Sequence, residues 1–414
     1  MVVVRQLPSS DVGASGTMVP TSPLHLSEIS SLSDAQEKAL SVLRVVSATL
    51  SVVGSFMIIY RVKRNNRRQT PYDRIMTGLS ACDIIASVSQ ALMPFLLPSK
   101  SSQRVWASGN DTTCSMLGFL QQFAFSAVWY NGMLSYYYLA IIRFGVKPQE
   151  FAKRYEILVH FFSLSFFVIT ASLGVGFGIY SEMEITQGCW IGEFPAGCEA
   201  RDDCVGNSIA WVFGGFPTLF SFVSIAINNW VVFFHVRHTT FKLLHSQASH
   251  QLRSLNELRL KEVATQGFLY VAGFFCTYTA AFAIRVLESF GFDAANEADI
   301  FWLLALNACF LPAQGFFNMF IFTRPNYMRV RVAYPHQSTL WTLRKACFDP
   351  DIPNLTHTNR KHNNKNNNEE EEDDNDEDND NNIRVDVRSD QLSATIKGPS
   401  PEEISMLQSL TTQS

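Results

Sequence analysis

Residues 311–330 read LPAQGFFNMFIFTRPNYMRV: an apolar run that carries a proline, a glutamine and an asparagine, stops at Thr323-Arg-Pro and then turns basic. A segment this apolar buries Gln314 and Asn318 at a cost unless both meet partners. The two lie four residues apart, on one face of a helix, so a bundle of further helices is needed to receive them.

Such helices are present. A hydrocarbon layer about 30 Å thick requires roughly 20 apolar residues at the helical rise. Seven windows meet that length: Ala39 to Tyr60, Ile75 to Leu97, Ser115 to Ile142, Ile157 to Tyr180, Ile209 to His235, Val263 to Val286 and Ile300 to Phe322. Seven membrane-length windows leave too little polar surface to cover them in a water-soluble fold, and the halves show no internal similarity of the kind that marks many transporters. The expected fold is all-α, a seven-transmembrane-helix bundle with a short amphipathic helix after the seventh span and a disordered C-terminal tail. The divisions are 1–38, an outer N-terminal segment; 39–323, the helical domain; 324–346, a membrane-surface amphipathic segment; and 347–414, an acidic cytoplasmic tail.

Basic residues fall in alternate loops. Arg61, Lys63, Arg64 and Arg74 follow span one, Arg143, Lys147, Lys153 and Arg154 span three, Arg237, Arg253, Arg259 and Lys261 span five, and Arg324, Arg329 and Arg331 span seven. By the positive-inside rule these four segments are cytoplasmic and the N-terminus is outside. MVVVR is too short an apolar start for a secretory signal peptide, which leaves span one as its own insertion signal. The outer side then holds the glycosylation acceptor Asn110-Asp-Thr and four cysteines, Cys114, Cys189, Cys198 and Cys204. Four cysteines allow three connectivities, and counting does not choose among them. From Cys347 onward the composition passes through NNKNNN into the acidic run Glu369 to Asp380, too poor in apolar residues to fold.

The intramembrane polar residues carry the chemistry. Asp83, in LSACDIIAS, would cost several kcal/mol facing lipid and must turn inward, toward Asn131, Asn307, Gln314 or Asn318. Such a cluster serves either as a static interhelical hydrogen bond or as a polar switch between two packings. Arg285 and Glu288, with Trp190, are candidates for lining an outer ligand pocket; an arginine that snorkels to the headgroups is the alternative. The helix-spaced leucines and basic residues of His235 to Glu262 make an amphipathic surface suited to anionic lipids or a cytosolic partner. Beyond Arg344 and Lys345, Cys347 is a candidate for lipidation. No phosphate-binding glycine loop, no nucleophile elbow and no grouped His/Asp ligands for a metal appear, so neither catalysis nor a cofactor is expected. The last span also has no lysine to hold retinal, which argues against a light-driven pump.

Seven helices, an outside N-terminus, basic inner loops and Cys114 with Cys189-Trp190 together resemble a G-protein-coupled receptor. KEVATQGFLYVAGFFCTYT, residues 261–279, the Cys-Trp pair, and PAQGFFNMFIFTRPNY, residues 312–327, are similar to the cyclic-AMP-receptor-like group and its secretin-receptor relatives. The likeness runs from Leu40 to Tyr334. Asp83 instead looks like the second-helix aspartate of rhodopsin-like receptors, whereas Tyr136-Tyr137-Tyr138 stands where that group has Asp-Arg-Tyr.

The resemblance implies a Cys114 to Cys189 disulfide and an extracellular ligand of a class it does not specify. It further implies a heterotrimeric G protein engaged by the inner ends of spans three, five and six, around Arg143, Arg259 and Lys261. It places the chain in the plasma membrane, with membrane lipids as neighbours and kinase or arrestin-type regulators at the tail; no nucleic acid is implied. A transporter or channel using the Asp83 cluster is the alternative.

Overall fold

A computed structural model describes residues 32–64, 69–99, 105–183, 185–192, 194, 205–245, 250–290 and 299–349, with backbone only over 242–245 and 250–261. Cys198, Cys204, most of the N-terminal segment and the acidic tail lie outside the described residues, as do the side chains of Arg259 and Lys261.

Seven membrane-length helical segments form one bundle. Among the described residues, six helices are long and apolar enough to cross a bilayer. In order, α1 spans Asp34–Arg64 and α2 Pro71–Leu96; α3, Asp111–Ala124, and α4, Ser126–Ile142, together make the third span. A short α5, Pro148–Arg154, precedes α6, Glu156–Phe177. Then follow α7, Gly206–Ala210, which a π-helical turn over Trp211–Gly215 joins to α8, Phe216–His245; and α9, His250–Ser289. The seventh span is α10, Phe301–Phe310, a 3₁₀ turn over Leu311–Ala313, and α11, Gln314–Ala333; α12, Thr339–Phe348, comes last.

The faces of α1 explain why this is a bundle in lipid. Ser41, Arg44, Ser47, Ser51 and Ser55 recur every three or four residues and are buried, while Val42, Val46, Val53 and Phe56 on the opposite faces are exposed. A water-soluble helix would reverse that order. Small side chains at a helix interface let backbones approach, and apolar ones outside meet lipid.

Local chemistry sets the ends. Thr70 and Asp73 form a reciprocal capping box ahead of Pro71 at the start of α2, Asn110 and Thr113 do the same for α3, and Gly178 takes the left-handed conformation (φ 64°) that closes α6. Pro217 has no N–H to give the carbonyl of Phe213, and Gln122 Nε2 donates to that oxygen instead, at 3.0 Å.

Three features depart from the sequence reading. The third span is not one unbroken helix but is interrupted at Phe125. An all-α reading also missed a two-stranded antiparallel hairpin after α6: β1, Tyr180–Met183, pairs with β2, Gly188–Ile191, in the register Ser181 to Trp190 and Glu182 to Cys189. Finally, Thr323-Arg-Pro does not end the helix. Pro325 lies inside α11, which continues to Ala333, and the short helix after the seventh span is α12. A proline inside a helix forfeits one bond but need not stop it when the segment is packed. The turn falls ten residues later, where Pro335 follows Tyr334 and Ser338 caps α12.

Candidate functional site

The hairpin lies over one end of the bundle, at the start of α3, and several contacts tie it there. Cys189 is disulfide-bonded to Cys114 at the start of α3, with Cα atoms 5.2 Å apart. Trp190 Nε1 donates to Gln122 Oε1 at 2.8 Å. Arg44 donates from Nη1 to Gln187 O and from Nη2 to Thr186 O, both at 2.8 Å. Arg285 Nη2 donates to Ile191 O at 3.3 Å. Spans one, three and six thus share one roof.

Beneath it is a cavity of about 110 Å³. Arg285, Glu288 and Trp190 all line it. Arg285 faces inward rather than snorkelling: its Nη1 lies 2.5 Å from Glu288 Oε2 and its guanidinium carbon 5.3 Å from the Trp190 ring centroid. Tyr278 lines it from α9 as well, and Arg44, Phe125, Asn307 and Leu311 line it from other elements. Sequence reasoning did not assign Arg44, Phe125 and Tyr278 to a pocket. In the sequence Arg44 is a lone charge within the window Ala39 to Tyr60, and the aromatic pair carries no signal of a pocket.

The expected polar cluster divides. Asn318 Nδ2 donates to Asp83 Oδ2 at 2.8 Å, and both residues are buried. Asn131 turns its amide to Ala127 O in its own helix, at 2.8 Å, and Asn307 sits higher, at the cavity. Gln314 is buried with no partner for its Oε1 among the described residues. Next to the Asp83 pair lies a set of small residues that was not anticipated: Ser51 Oγ accepts from Gly315 N at 2.9 Å and from Ser87 Oγ at 2.8 Å, and Ser87 Oγ reaches Pro312 O at 3.2 Å. The 3₁₀ turn at Pro312 interrupts the helical ladder, and the serines take up the polar groups it leaves.

At the end of the bundle away from the hairpin, α9 is tied to two neighbours. Tyr72 Oη and Tyr270 Oη are 2.8 Å apart, and Gln266 Nε2 donates to Tyr72 Oη at 2.8 Å. Glu262 pairs with Arg329 of α11 at 3.8 Å. Tyr137, Tyr138, Phe151 and Phe322 pack around these rings. The three tyrosines of Tyr136-Tyr137-Tyr138 therefore part company: two enter this core, and Tyr136 is exposed. Arg74 and Glu156 form a paired-nitrogen ion pair between α2 and α6, with Nη2 to Oε2 at 2.6 Å. Arg143 caps α4 at this end and is exposed, its guanidinium 5.8 Å from the Phe144 ring centroid.

Two modification candidates are placed differently from each other. Asn110 is exposed, with Oδ1 accepting from Thr113 N at 3.0 Å. Cys347 lies on the buried face of α12, and that burial raises its thiol pKa against the lowering effects of Thr323 and Arg61. Arg61 also holds the carbonyl of neighbouring Ala346.

No protein-family model matches the chain, and no curated protein does. Among solved structures, squid rhodopsin is similar, with a TM-score of 0.52 at 16% identity over 83% of this chain and 98% of that one. The bundle, the roof over one end of it and this likeness define a multi-pass membrane protein with the fold of squid rhodopsin.

Proposed function

We propose that the protein is a G-protein-coupled receptor whose outer cavity takes an extracellular ligand and whose inner face activates a heterotrimeric G protein. One observation carries the reading: α9 is a single helix of 40 residues, about 60 Å long, with Arg285 and Glu288 at the roofed cavity and Gln266 and Tyr270 in the inner tyrosine network. A ligand that favours one packing at the outer end of this rod biases the other end, as coupling requires.

In this reading the N-terminus is outside, in the plasma membrane, and the basic segments at Arg143, Arg259 and Lys261 face the cytosol. The 1–38, 39–323, 324–346 and 347–414 divisions then correspond to outer segment, transducing bundle, membrane-surface segment and regulatory tail. The cyclic-AMP-receptor-like grouping rests on residues 261–279 and 312–327 and the Cys189-Trp190 pair. Likeness to rhodopsin does not bring its chromophore, since α10 and α11 contain no lysine.

The test is nucleotide exchange on a purified heterotrimeric G protein by the chain in lipid nanodiscs. Accelerated exchange that falls in Arg143→Glu is expected. Ion or solute flux without any acceleration would overturn the reading in favour of a transporter or channel.

A further inference from the structure

Two opposite charges line the cavity beneath the hairpin, one turn apart on α9. Arg285 Nη1 is 2.5 Å from Glu288 Oε2, and the two side chains keep 16% and 15% of their surface exposed. The guanidinium also donates to Ile191 O, at the long distance of 3.3 Å, and lies over the Trp190 ring. Glu288 is bonded through Oε2 among the described residues, which leaves Oε1 free to accept. Both terminal nitrogens of Arg44, by contrast, donate to carbonyls of the hairpin turn, and Gln90 Nε2 donates to Gln121 Oε1 at 3.0 Å.

A pair of this kind selects by charge. Met93, Phe125, Phe282 and Leu311 make the wall around it apolar, so neither charge is cheaply left alone. A ligand with only a carboxylate, drawn to Arg285, displaces Glu288 and strands it. One with only an ammonium, drawn to Glu288, is repelled by the guanidinium already on that carboxylate. A neutral ligand gains no bond between two opposite charges. A ligand that carries both charges close together gives each residue a new partner: its carboxylate accepts from Arg285, its ammonium donates to Glu288, and nothing is stranded.

We propose that the cavity takes a small zwitterion, an α-amino acid with little or no side chain, held between Arg285 and Glu288. This rests on the reading of the cavity as the receptor's ligand site. At ~30 Å³ per water the space of about 110 Å³ equals roughly three to four waters, and glycine, the smallest of the class, displaces fewer than that.

Four probes share one shape and differ in charge at pH 7: glycine carries both, propionate the negative, glycinamide the positive and propionamide neither. Each is titrated by saturation-transfer NMR against the full chain in nanodiscs, with empty nanodiscs as the reference and no G protein. Glycine should bind saturably and at least about tenfold tighter than the other three, the worth of one charge-assisted hydrogen bond. Glu288→Gln should move the preference to propionate and Arg285→Met should move it to glycinamide, opposite shifts that a damaged fold does not produce. Melting temperature reports whether each variant folds, and the wild-type ranking decides by itself if neither does. No saturable binding of glycine, tighter binding by any of the other three, or a folded Glu288→Gln that still prefers glycine to propionate would each overturn the proposal. The expected pattern without any effect of glycine on nucleotide exchange would uphold the ligand class and sink the receptor reading instead.

Discussion

Asn318 donates its amide proton to Asp83 across 2.8 Å, joining the seventh span to the second at a depth where neither residue reaches solvent. The carboxylate takes this bond from a residue 235 positions away in the chain.

Removing the donor strands the acceptor. Asn318→Leu should destabilise the bundle by about 1–3 kcal/mol, the cost of leaving a buried polar group without its bond. Replacing both residues with Leu should recover part of that loss, because no orphan remains. Thermal unfolding of the two variants in one detergent decides; equal melting temperatures for Asn318→Leu and wild type would show that the bond contributes nothing.

Close approach of α1 to α11 depends on two glycines. A Cβ on Gly315 would stand 2.0 Å from Ser55 Oγ and 2.7 Å from the Ser51 carbonyl, and one on Gly54 would stand 2.8 Å from Gly315 O. Backbone cannot yield as a flexible side chain does, so Gly315→Ala should cost about 1–3 kcal/mol by overpacking. Gly132 is the control, since its Cβ would meet nothing nearer than Ser221 Oγ at 3.8 Å. A Gly132→Ala variant as unstable as Gly315→Ala would contradict this account, with melting temperature as the readout.

Tyr72 holds α9 through two hydrogen bonds, one shared with the Tyr270 hydroxyl and one accepted from Gln266. If the closed inner end opposes coupling, Tyr72→Phe should raise ligand-independent nucleotide exchange about 2- to 10-fold, as the loss of a hydrogen bond shifts a two-state balance. Glu262→Gln should do less, because the Glu262 and Arg329 side chains are 35% and 41% exposed and screened by water. A Tyr72→Phe variant with wild-type basal exchange and an unchanged melting temperature would rule the restraint out.

The sequence by itself determined the number of spans, because length and hydropathy answer to the bilayer rather than to any particular contact. It also marked Asp83, Arg285 and Glu288 as groups that lipid would not tolerate unpaired. It could not assign partners. Four buried amide side chains were equally suitable for Asp83, and only packing placed Asn318 beside it, turned Asn131 to its own helix, lifted Asn307 to the cavity and left Gln314 apart. Helix continuity was likewise undecidable from local signals: Pro325 reads as a stop and is not one, whereas Phe125 reads as helix interior and interrupts. Propensity weighs a residue against its neighbours in the chain. Which amide meets which carboxylate, and whether a missing backbone bond is replaced by Gln122 or Ser51, is settled by side chains that arrive from distant spans when the bundle closes.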